Sequence, residues 1–405
     1  MIKKLIILNL CFFLTILTIN AQELKSDLQF AHLGNIKTKN TTIKLPIEIW
    51  NDLILVKAKF NNVEGLFVWD NGFYISGLDS QFIKDAKIQP LSASVEARDA
   101  NSKAVHFDKF LCNSFQINRI EIQETPIIQV DTKSIFKSVT KHIDGLIGAS
   151  IINKLNWHFN FDKDYVEIST EPIILTQGIN LPYEITESNK HLMPITINGI
   201  NTQTLIDFGY NADDIAINIQ AAGLFPKNKA SEEYGITKMA VSGFSEIDTT
   251  YVIRKDYSYN LGGQSFSFLP KVSLAKSNDN IAIGNKFFRN NYNVIINCTT
   301  DTSYTLLTRK NPSTPQKDLS YGIKIFLNNG HLLVGKLTTN ENNKNKTLHL
   351  LDEILEINGK SAAYFKDNFS VMNFQKQLLE KELTMKLKLK NGKVYSYRPI
   401  YDYEQ

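Results

Sequence analysis

An internal repeat constrains the fold of this chain more than any other feature. A strand, an Asn-containing turn, a second strand and an Asp-x-Gly turn can be read in "LILVKAKFNNVEGLFVWDNG" and again in "LMPITINGINTQTLIDFG". A second pair of matching stretches follows, "HIDGLIGASIINKLNWHFNF" and "DNIAIGNKFFRNNYNVIINC". The motifs are 78 residues apart in the first copy (Asp70 to Gly148) and 77 in the second (Asp207 to Gly284). Matched order and spacing predict two copies of one unit within residues 45–310.

Each copy reads as β-rich. Short runs of β-branched and aromatic residues alternate with turn residues, as in "LILVKAKFNNVEGLFVWD" and "WHFNFDKDYVEI". Helical periodicity is brief, in "SQFIKDAK" and "GASIINKL". We therefore expect a mostly β chain with one lobe at residues 45–172 and a second at 173–310.

The two ends of the chain differ from the lobes. Residues 1–21 combine Lys3 and Lys4, an apolar run and a terminal Ala21, a pattern typical of a cleaved secretory signal peptide. Residues 22–44 form an N-terminal segment before the first lobe. Residues 311–320 read as a polar linker, and residues 321–405 as a third domain able to fold alone. We expect export to the periplasm or outside the cell.

Composition and motif searches exclude several classes of function. The net charge is +4 without a block of basic residues, so nucleic-acid binding has no electrostatic support. No later run approaches about 18 apolar residues, so no transmembrane segment is expected after signal cleavage. The metal and phosphate motifs His-Glu-x-x-His, Cys-x-x-Cys and the Gly-rich loop with Lys are missing, and neither metal nor cofactor is predicted. Cys112 and Cys298 allow one bridge or two buried thiols, and their wide spacing favours thiols.

The two Asp-x-Gly turns suggest a chemistry. A carboxylate directly after a buried strand is held rigidly, and the Gly lets the chain reverse. Two carboxylates facing each other at about 3 Å share one proton, so one acts as base and the other as acid on a single water. A lone Asp-x-Gly turn in a β-rich protein is usually structural. The repeat is what favours Asp70 and Asp207 as a catalytic pair.

These motifs resemble the retropepsin-like aspartic proteases, in a single-chain arrangement of two β-barrel lobes that form a pepsin-like bilobal unit. The resemblance covers about residues 45–310. It implies an endopeptidase that binds a peptide or protein substrate in extended form between the lobes. It also implies catalysis by Asp70 and Asp207, and it places Ile147-Gly148 and Ile283-Gly284 beneath the catalytic turns.

The turns depart from the family pattern. The family usually has Thr between Asp and Gly, which ties the two turns together. Here Asn71 can still form such a bond, whereas Phe208 cannot. The family also prefers a small residue after the Gly, where this chain has Phe73 and Tyr210. The residues expected to support the catalytic turns are Asn71, Gly72, Phe208 and Gly209.

These departures keep two other interpretations open. One is an inactive protein of the same fold that binds extended peptides without cleaving them. The other is a pair of unrelated β-barrels with a structural role. In the family a hairpin called the flap covers the substrate. The stretch "KMAVSGFSEIDTT", with Ser242 and Gly243 at its tip, fits this hairpin better than "SVEARDANSKAVHF" in the first lobe.

The third domain resembles a PDZ domain. The resemblance rests on "LDEILEINGK", the helical stretch "FSVMNFQKQLLEKE" and a closing strand pair. It implies that a C-terminal peptide adds as a strand beside a groove and that a loop at Tyr321, Gly322 and Ile323 holds its carboxylate. The usual Gly before the Asp is replaced by Leu351, and the loop begins with Tyr.

Overall fold

The computed structural model describes most of the chain. The described residues are 27–98, 103–136, 141–211, 214–225, 231–236, 239–240, 243–244, 247–253, 256–276, 281–310, 312, 319–344 and 346–401. The predicted signal peptide, residues 1–21, lies outside them. No helix in this part of the chain is long and apolar enough to cross a membrane.

The first half of the repeat contains most of the long strands. Its strands are β1 (Asn35–Ile36), β2 (Thr42–Pro46), β3 (Glu48–Trp50), β4 (Leu53–Phe60), β5 (Val63–Trp69), β6 (Ser76–Asp79), β7 (Gln89–Arg98), β8 (Ala104–Ile117), β9 (Ile120–Val130), β10 (Gly145–Ile147), β11 (Asn156–Asn160) and β12 (Tyr165–Ser169). Its helices are short: α1 (residues 27–31), α2 (Ser80–Asp85), α3 (Thr132–Phe136) and α4 (Ala149–Ile152).

The second half repeats this order with shorter strands. They are β13 (Ile179–Pro182), β14 (Glu184–Ile185), β15 (His191–Ile197), β16 (Ile200–Asp207), β17 (Ile215–Asn218), β18 (Ser231–Ile236), β19 (Met239–Ala240), β20 (Gly243–Phe244), β21 (Ile247–Ile253), β22 (Tyr259–Leu261), β23 (Gln264–Ser265), β24 (Val272–Ala275), β25 (Ala282–Gly284), β26 (Tyr292–Asn297) and β27 (Ser303–Thr308). A 3-10 helix spans Ile219–Leu224, and α5 spans Asn285–Asn291.

The remaining elements form the C-terminal part. They are β28 (Leu319–Ser320), β29 (Ile323–Asn328), β30 (His331–Thr338), β31 (Glu353–Ile357), β32 (Lys360–Ser361), a 3-10 helix (Ala362–Tyr364), α6 (Asn368–Glu380), β33 (Met385–Leu389), β34 (Val394–Tyr397) and β35 (Ile400–Tyr401). The fold is therefore mostly β, as the sequence predicts.

The two halves share one pattern of strand pairing. In the first half β5 pairs antiparallel with β4 and parallel with β10, while β6 pairs antiparallel with β10 and parallel with β9. The corresponding strands of the second half, β15, β16, β17, β24 and β25, pair in the same way. The same arrangement is thus built twice, each time around the strand that ends at an Asp-x-Gly turn.

A six-stranded sheet joins the halves, in the order β13-β27-β26-β11-β12-β2. Its central pair is antiparallel, with His158 opposite Ile295. Alternation along β11 directs Trp157 and Phe159 into a core shared by both halves, which also contains Trp69 and Phe208. The two Asp-x-Gly turns are therefore carried on one continuous core. Strand β2 begins at Thr42, just before position 45, where the sequence analysis places the start of the first lobe.

The C-terminal part has its own core but not its own sheet. A separate buried cluster includes Ile325, Val334 and Val371. Strand β30, however, pairs antiparallel with β18 of the second half, so the two parts share one sheet. The C-terminal part thus combines its own core with a sheet that continues into the second half. Residues 319–320 also belong to this part, because β28 pairs with β35.

Both cysteines of the described chain, Cys112 and Cys298, are buried free thiols, as their spacing predicted.

Candidate active site

Asp70 follows β5 and is held by backbone groups. Its N–H donates to the carbonyl of Ile147 on the neighbouring parallel strand β10, at 3.0 Å. Its carboxylate atom Oδ1 accepts from the N–H groups of Gly72 (3.0 Å) and Phe73 (3.1 Å). The turn after β5 thus fixes one oxygen of the carboxyl group and leaves the other for a different partner.

Asp207 at the end of β16 has the same environment. It lies opposite Gly284 in the parallel pair with β25. Its Oδ1 accepts from Gly209 N–H at 2.8 Å and from Tyr210 N–H at 3.1 Å. The repeat seen in the sequence therefore extends to individual hydrogen bonds. In each half, the apolar-Gly motif lies on the strand beside the Asp-x-Gly turn of that half, as the resemblance implies. These motifs are Ile147-Gly148 and Ile283-Gly284.

The two turns face each other across the halves. The carboxyl groups of Asp70 and Asp207 are within hydrogen-bonding contact. A Cβ atom added at Gly72 would overlap the carboxyl group of Asp207, and one added at Gly209 would overlap that of Asp70. Only glycine fits these two positions, because each carboxyl group occupies the space of the missing side chain in the opposite turn.

The electrostatics of the pair are unequal. Desolvation, followed by the nearby charge of Asp207, raises the pKa of Asp70 well above its ordinary value. Desolvation also raises the pKa of Asp207, but its two backbone donors and the positive charge of Lys190 oppose the rise. The two backbone donors of the first turn oppose the rise at Asp70 in the same way, and two buried carboxyl groups in contact share one proton as a pair.

Asn71 ties the two turns together from one side. Its Nδ2 donates to the carbonyl of Ile206 at 2.8 Å, and its Oδ1 accepts from Phe208 N–H at 2.8 Å. These two backbone groups flank Asp207. The amide group therefore holds the backbone on both sides of Asp207, and the side chain of Asn71 is fully buried.

Phe208 contributes no polar side chain in return. Its ring is buried and packs against Trp69 at 5.3 Å and in a stacked arrangement on Phe288 at 5.3 Å between ring centroids. It also stacks on Tyr304 at 6.4 Å. The second half is thus fixed by aromatic packing, where the first half uses an amide.

The large residues after each Gly pack within their own half. The ring of Phe73 lies beside Gly77 and Val130. The hydroxyl group of Tyr210 lies 3.4 Å from Oγ of Ser273. Their rings are thereby accommodated at positions where the resembled family has small side chains.

A buried polar network lies behind Asn71, and the sequence analysis did not identify it. The Tyr304 hydroxyl lies 3.2 Å from Asn71 Nδ2 and 2.6 Å from His191 Nδ1. His191 Nε2 lies 2.7 Å from Oδ1 of Asn153. No sequence signal points to the network, because its members come from distant parts of the chain.

An apolar cluster lies on the Asp70 side of the first-half sheet. Val68 shares a strand face with Asp70, while Phe67 and Trp69 point into the main core. We call this group the Asp70-side cluster; its buried members are Phe30, Ala31, Leu53, Leu55, Val68, Ile75, Val95, Phe107, Ile128, Val130, Ile143 and Leu146. Strands β7 and β8 contribute Val95 and Phe107.

The N-terminal segment packs onto this cluster and contacts both halves. Phe30 and Ala31, at α1, are buried in it. The carbonyl of Ala31 accepts from Asn189 Nδ2 at 3.5 Å, and that of His32 accepts from Lys154 Nζ at 3.1 Å. Residues after the predicted signal peptide are thus integral to the surroundings of the Asp70 turn.

The predicted flap tip is only partly described. Ser242 lies outside the described residues. Gly243 is in β20, which pairs with β19 between the arms β18 and β21. The corresponding hairpin in the first half is formed by β7 and β8.

The predicted carboxylate-binding loop of the C-terminal part forms hydrogen bonds within the protein. Tyr321 is buried, and its hydroxyl donates to the carbonyl of Leu383 at 2.6 Å. The N–H of Gly322, which has a φ of +71°, donates to Ser320 Oγ at 2.8 Å. Ile323 pairs with Leu337 at the start of β29. The Gly322 amide expected to meet a ligand carboxylate therefore has a partner within the protein.

Helix α6 caps the other edge of β29. Gln375 receives a hydrogen bond from Ile325 N–H at 3.3 Å and donates to the Ile325 carbonyl at 3.1 Å. Asn368 Oδ1 accepts from Leu327 N–H at 2.5 Å. These backbone groups are the ones an added peptide strand would use. In this structure they are already hydrogen-bonded to two side chains of α6.

Among the described residues, no group of three or more His, Cys, Asp or Glu side chains is arranged to hold a metal ion.

Comparisons with known proteins add little here. No family model matches the sequence, and no curated protein matches it. Solved structures that match include the crystal structure of basic 7S globulin from soybean. That match has 10% sequence identity and a TM-score of 0.37, and it covers 66% of this chain and 95% of the globulin chain. A likeness at this TM-score carries no information about function.

Proposed function

We propose that this protein is an aspartic endopeptidase in which Asp70 and Asp207 activate one water molecule. The observation that carries the proposal is the contact between the two carboxyl groups, each held by two backbone donors of its own turn. A structural turn needs no second carboxyl group opposite it, since two buried acids in contact are costly unless they share a proton.

The unequal pair suits the two roles of the reaction. Ionised Asp207 removes a proton from water, and protonated Asp70 donates its proton to the carbonyl oxygen of the scissile amide. The water oxygen bonds to the carbonyl carbon to give a gem-diol intermediate. Asp207 then passes the proton it took from water to the leaving nitrogen, Asp70 takes a proton from one hydroxyl group, and the C–N bond breaks, which restores the starting protonation of the pair. No metal or covalent intermediate takes part in this scheme.

The finer fold assignment belongs to the same proposal. We propose that residues 42–310 form two retropepsin-like lobes of a pepsin-like bilobal unit, supported by the matching strand pairings around β5 and β16. We further propose export through cleavage after Ala21, to the periplasm or the outside. N-terminal sequencing of the exported protein tests this, and a chain that retains Met1 would contradict it.

Peptide cleavage tests the proposed activity. The mature protein is incubated with a mixed peptide library from pH 3 to 7 and the products are read by mass spectrometry. We expect endoproteolysis that both Asp70→Asn and Asp207→Asn abolish. Asp85→Asn, at an exposed helix end, serves as the matched control and should cleave like the wild type. A folded wild-type protein that cleaves nothing would overturn the proposal.

The alternative is a catalytically inactive protein that binds extended peptides. One observation favours it: Phe208 stands where the resembled family has Thr, and its buried ring packs on Trp69 instead of forming a polar bond to the opposite turn. This alternative predicts that library peptides are retained by the wild-type protein without cleavage, and that Asp70→Asn leaves their retention unchanged.

For the C-terminal part we propose a PDZ-like module that recruits a C-terminal peptide when the side chains of Gln375 and Asn368 release β29. We expect Gln375→Ala to bind a library of C-terminal peptides more tightly than the wild type does, as measured by fluorescence polarisation. If neither the Gln375→Ala variant nor the wild type binds these peptides, this role is excluded.

A further inference from the structure

Tyr304 and His191 come from the second half of the repeat but act on Asn71 of the first. Tyr304 is in β27, His191 begins β15, and Asn153 follows α4. Asn71, Tyr304 and His191 are all fully buried. Three distant segments therefore place polar groups together directly behind the catalytic turns.

The hydrogen bonds of this network allow a single consistent assignment of donors and acceptors. Asn153 Nδ2 donates to the carbonyl of Asn189 at 2.9 Å, so its Oδ1 is the acceptor for His191 Nε2–H. His191 Nδ1 is then unprotonated and accepts from the Tyr304 hydroxyl. The oxygen of that hydroxyl accepts in turn from Asn71 Nδ2, which also lies 3.3 Å from His191 Nδ1.

This chain of donors and the two backbone groups of the opposite turn favour the same orientation of the Asn71 amide. With Nδ2 directed at Tyr304 and Ile206, Oδ1 is left to accept from Phe208 N–H. The opposite orientation would place an amide NH2 against the N–H of Phe208, and both groups would be buried without an acceptor. We propose that Tyr304 and His191 are positioning residues that hold Asn71 in the orientation required to clamp the Asp207 turn. The inference rests on the proposed function for its catalytic consequence but not for the network itself.

The state of His191 decides at which pH the network persists. Desolvation lowers the pKa of His191 to about 3, so the imidazole stays neutral over most of the acid range. Protonation would add a proton at Nδ1, and the Tyr304 hydroxyl would lose its acceptor. The titratable or charged groups on the elements around it are Tyr183, Lys190, Asp207, Cys298 and Tyr304.

A matched pair of variants tests the inference. Tyr304→Phe removes the hydroxyl and keeps the ring stacked on Phe208 and Phe288. Tyr183→Phe makes the same change in a buried neighbour whose hydroxyl donates to the Asn297 carbonyl instead. We expect Tyr304→Phe to lower kcat by roughly tenfold to a hundredfold, as for a misplaced catalytic group, with KM within about twofold. Tyr183→Phe should leave kcat within about twofold.

A second variant tests the inference through the pH dependence of activity. Asn153→Asp places a carboxylate beside His191 Nε2, which should raise the pKa of His191 and break the network at a higher pH. We expect the acid limb of the activity profile to lie at a higher pH in this variant than in the wild type, with activity recovering once His191 is neutral. A purely structural role of Asn153 would lower activity equally at all pH values.

Hydrogen exchange separates failure of this inference from failure of the proposed function. The Phe208 amide should exchange at least about tenfold faster in Tyr304→Phe than in Tyr183→Phe, whether or not the protein cleaves peptides. If exchange at Phe208 is the same in both variants, the inference is wrong even when the wild type is an active peptidase. If exchange differs but the wild type cleaves nothing, only the proposed function fails.

Discussion

Replacing Asn71 with alanine removes the polar link from the first half to the Asp207 turn. The change leaves the N–H of Phe208 and the carbonyl of Ile206 without the amide partners that now lie at 2.8 Å from each. A buried polar group that loses its partner costs about 1–3 kcal/mol. With both groups affected, we expect Asn71→Ala to lower the free energy of unfolding by about 2–6 kcal/mol, a large part of the 5–15 kcal/mol typical of a folded protein.

Equilibrium unfolding in urea measures this loss. Asn71→Thr is the informative companion, because one hydroxyl can accept from Phe208 N–H and donate to the Ile206 carbonyl; it should lose less than half as much as alanine. Asn260→Ala, a half-buried position in β22 whose Nδ2 reaches only Ser265 Oγ at 3.5 Å, is the control and should change the free energy by less than about 0.5 kcal/mol. A loss below about 1 kcal/mol for Asn71→Ala would refute the interpretation of Asn71 as the clamp.

Three further predictions concern the dyad and the junction with the C-terminal part. Because the pKa of Asp70 is raised, its stabilising contribution is full below the unfolded-state pKa and is lost as pH rises through the folded-state pKa. Asp70→Asn should therefore gain stability relative to the wild type from pH 4 to pH 8 in thermal unfolding. Gly209→Ala should abolish peptide cleavage and cost about 1–3 kcal/mol, since its Cβ overlaps Asp70. Lys336→Met should cost about 3–5 kcal/mol, because it leaves Glu233 buried without its ion-pair partner.

Each of these has its own check. Parallel stability curves for Asp70→Asn and the wild type would contradict the raised pKa. Gly223→Ala is the control for Gly209→Ala, because an added Cβ there meets no atom within 4 Å. For the junction, Lys336→Met combined with Glu233→Met should recover most of the loss. A double variant as unstable as Lys336→Met alone would show that the ion pair is not the cause.

The sequence predicts the parts of the site that depend on local order along the chain. Equal spacing of the two motifs places Asp70 and Asp207 at equivalent turns, and the amide of Asn71 matches the bond expected of the usual Thr. The packing of Phe73 and Tyr210 into their own halves was not predictable in the same way. It depends on Gly77, Val130 and Ser273, whose neighbours are set by strand pairing.

Other features depend on contacts between distant segments. The network of Tyr304, His191 and Asn153 joins three parts of the chain that share no sequence pattern, so none of them stands out alone. Likewise, β18 and β30 each read as an ordinary strand. Their pairing requires that both present a free edge at the same place, which the sequence of neither strand reveals.

The most direct test of the shared-proton dyad is the pH dependence of kcat/KM for one cleaved peptide between pH 3 and 8. The account predicts a bell shape, because activity requires Asp207 ionised and Asp70 protonated. Both limbs should lie above the pH expected for ordinary aspartates, since the pKa values of both residues are raised. A rate independent of pH over this range, or activity that survives in Asp70→Asn, would contradict it.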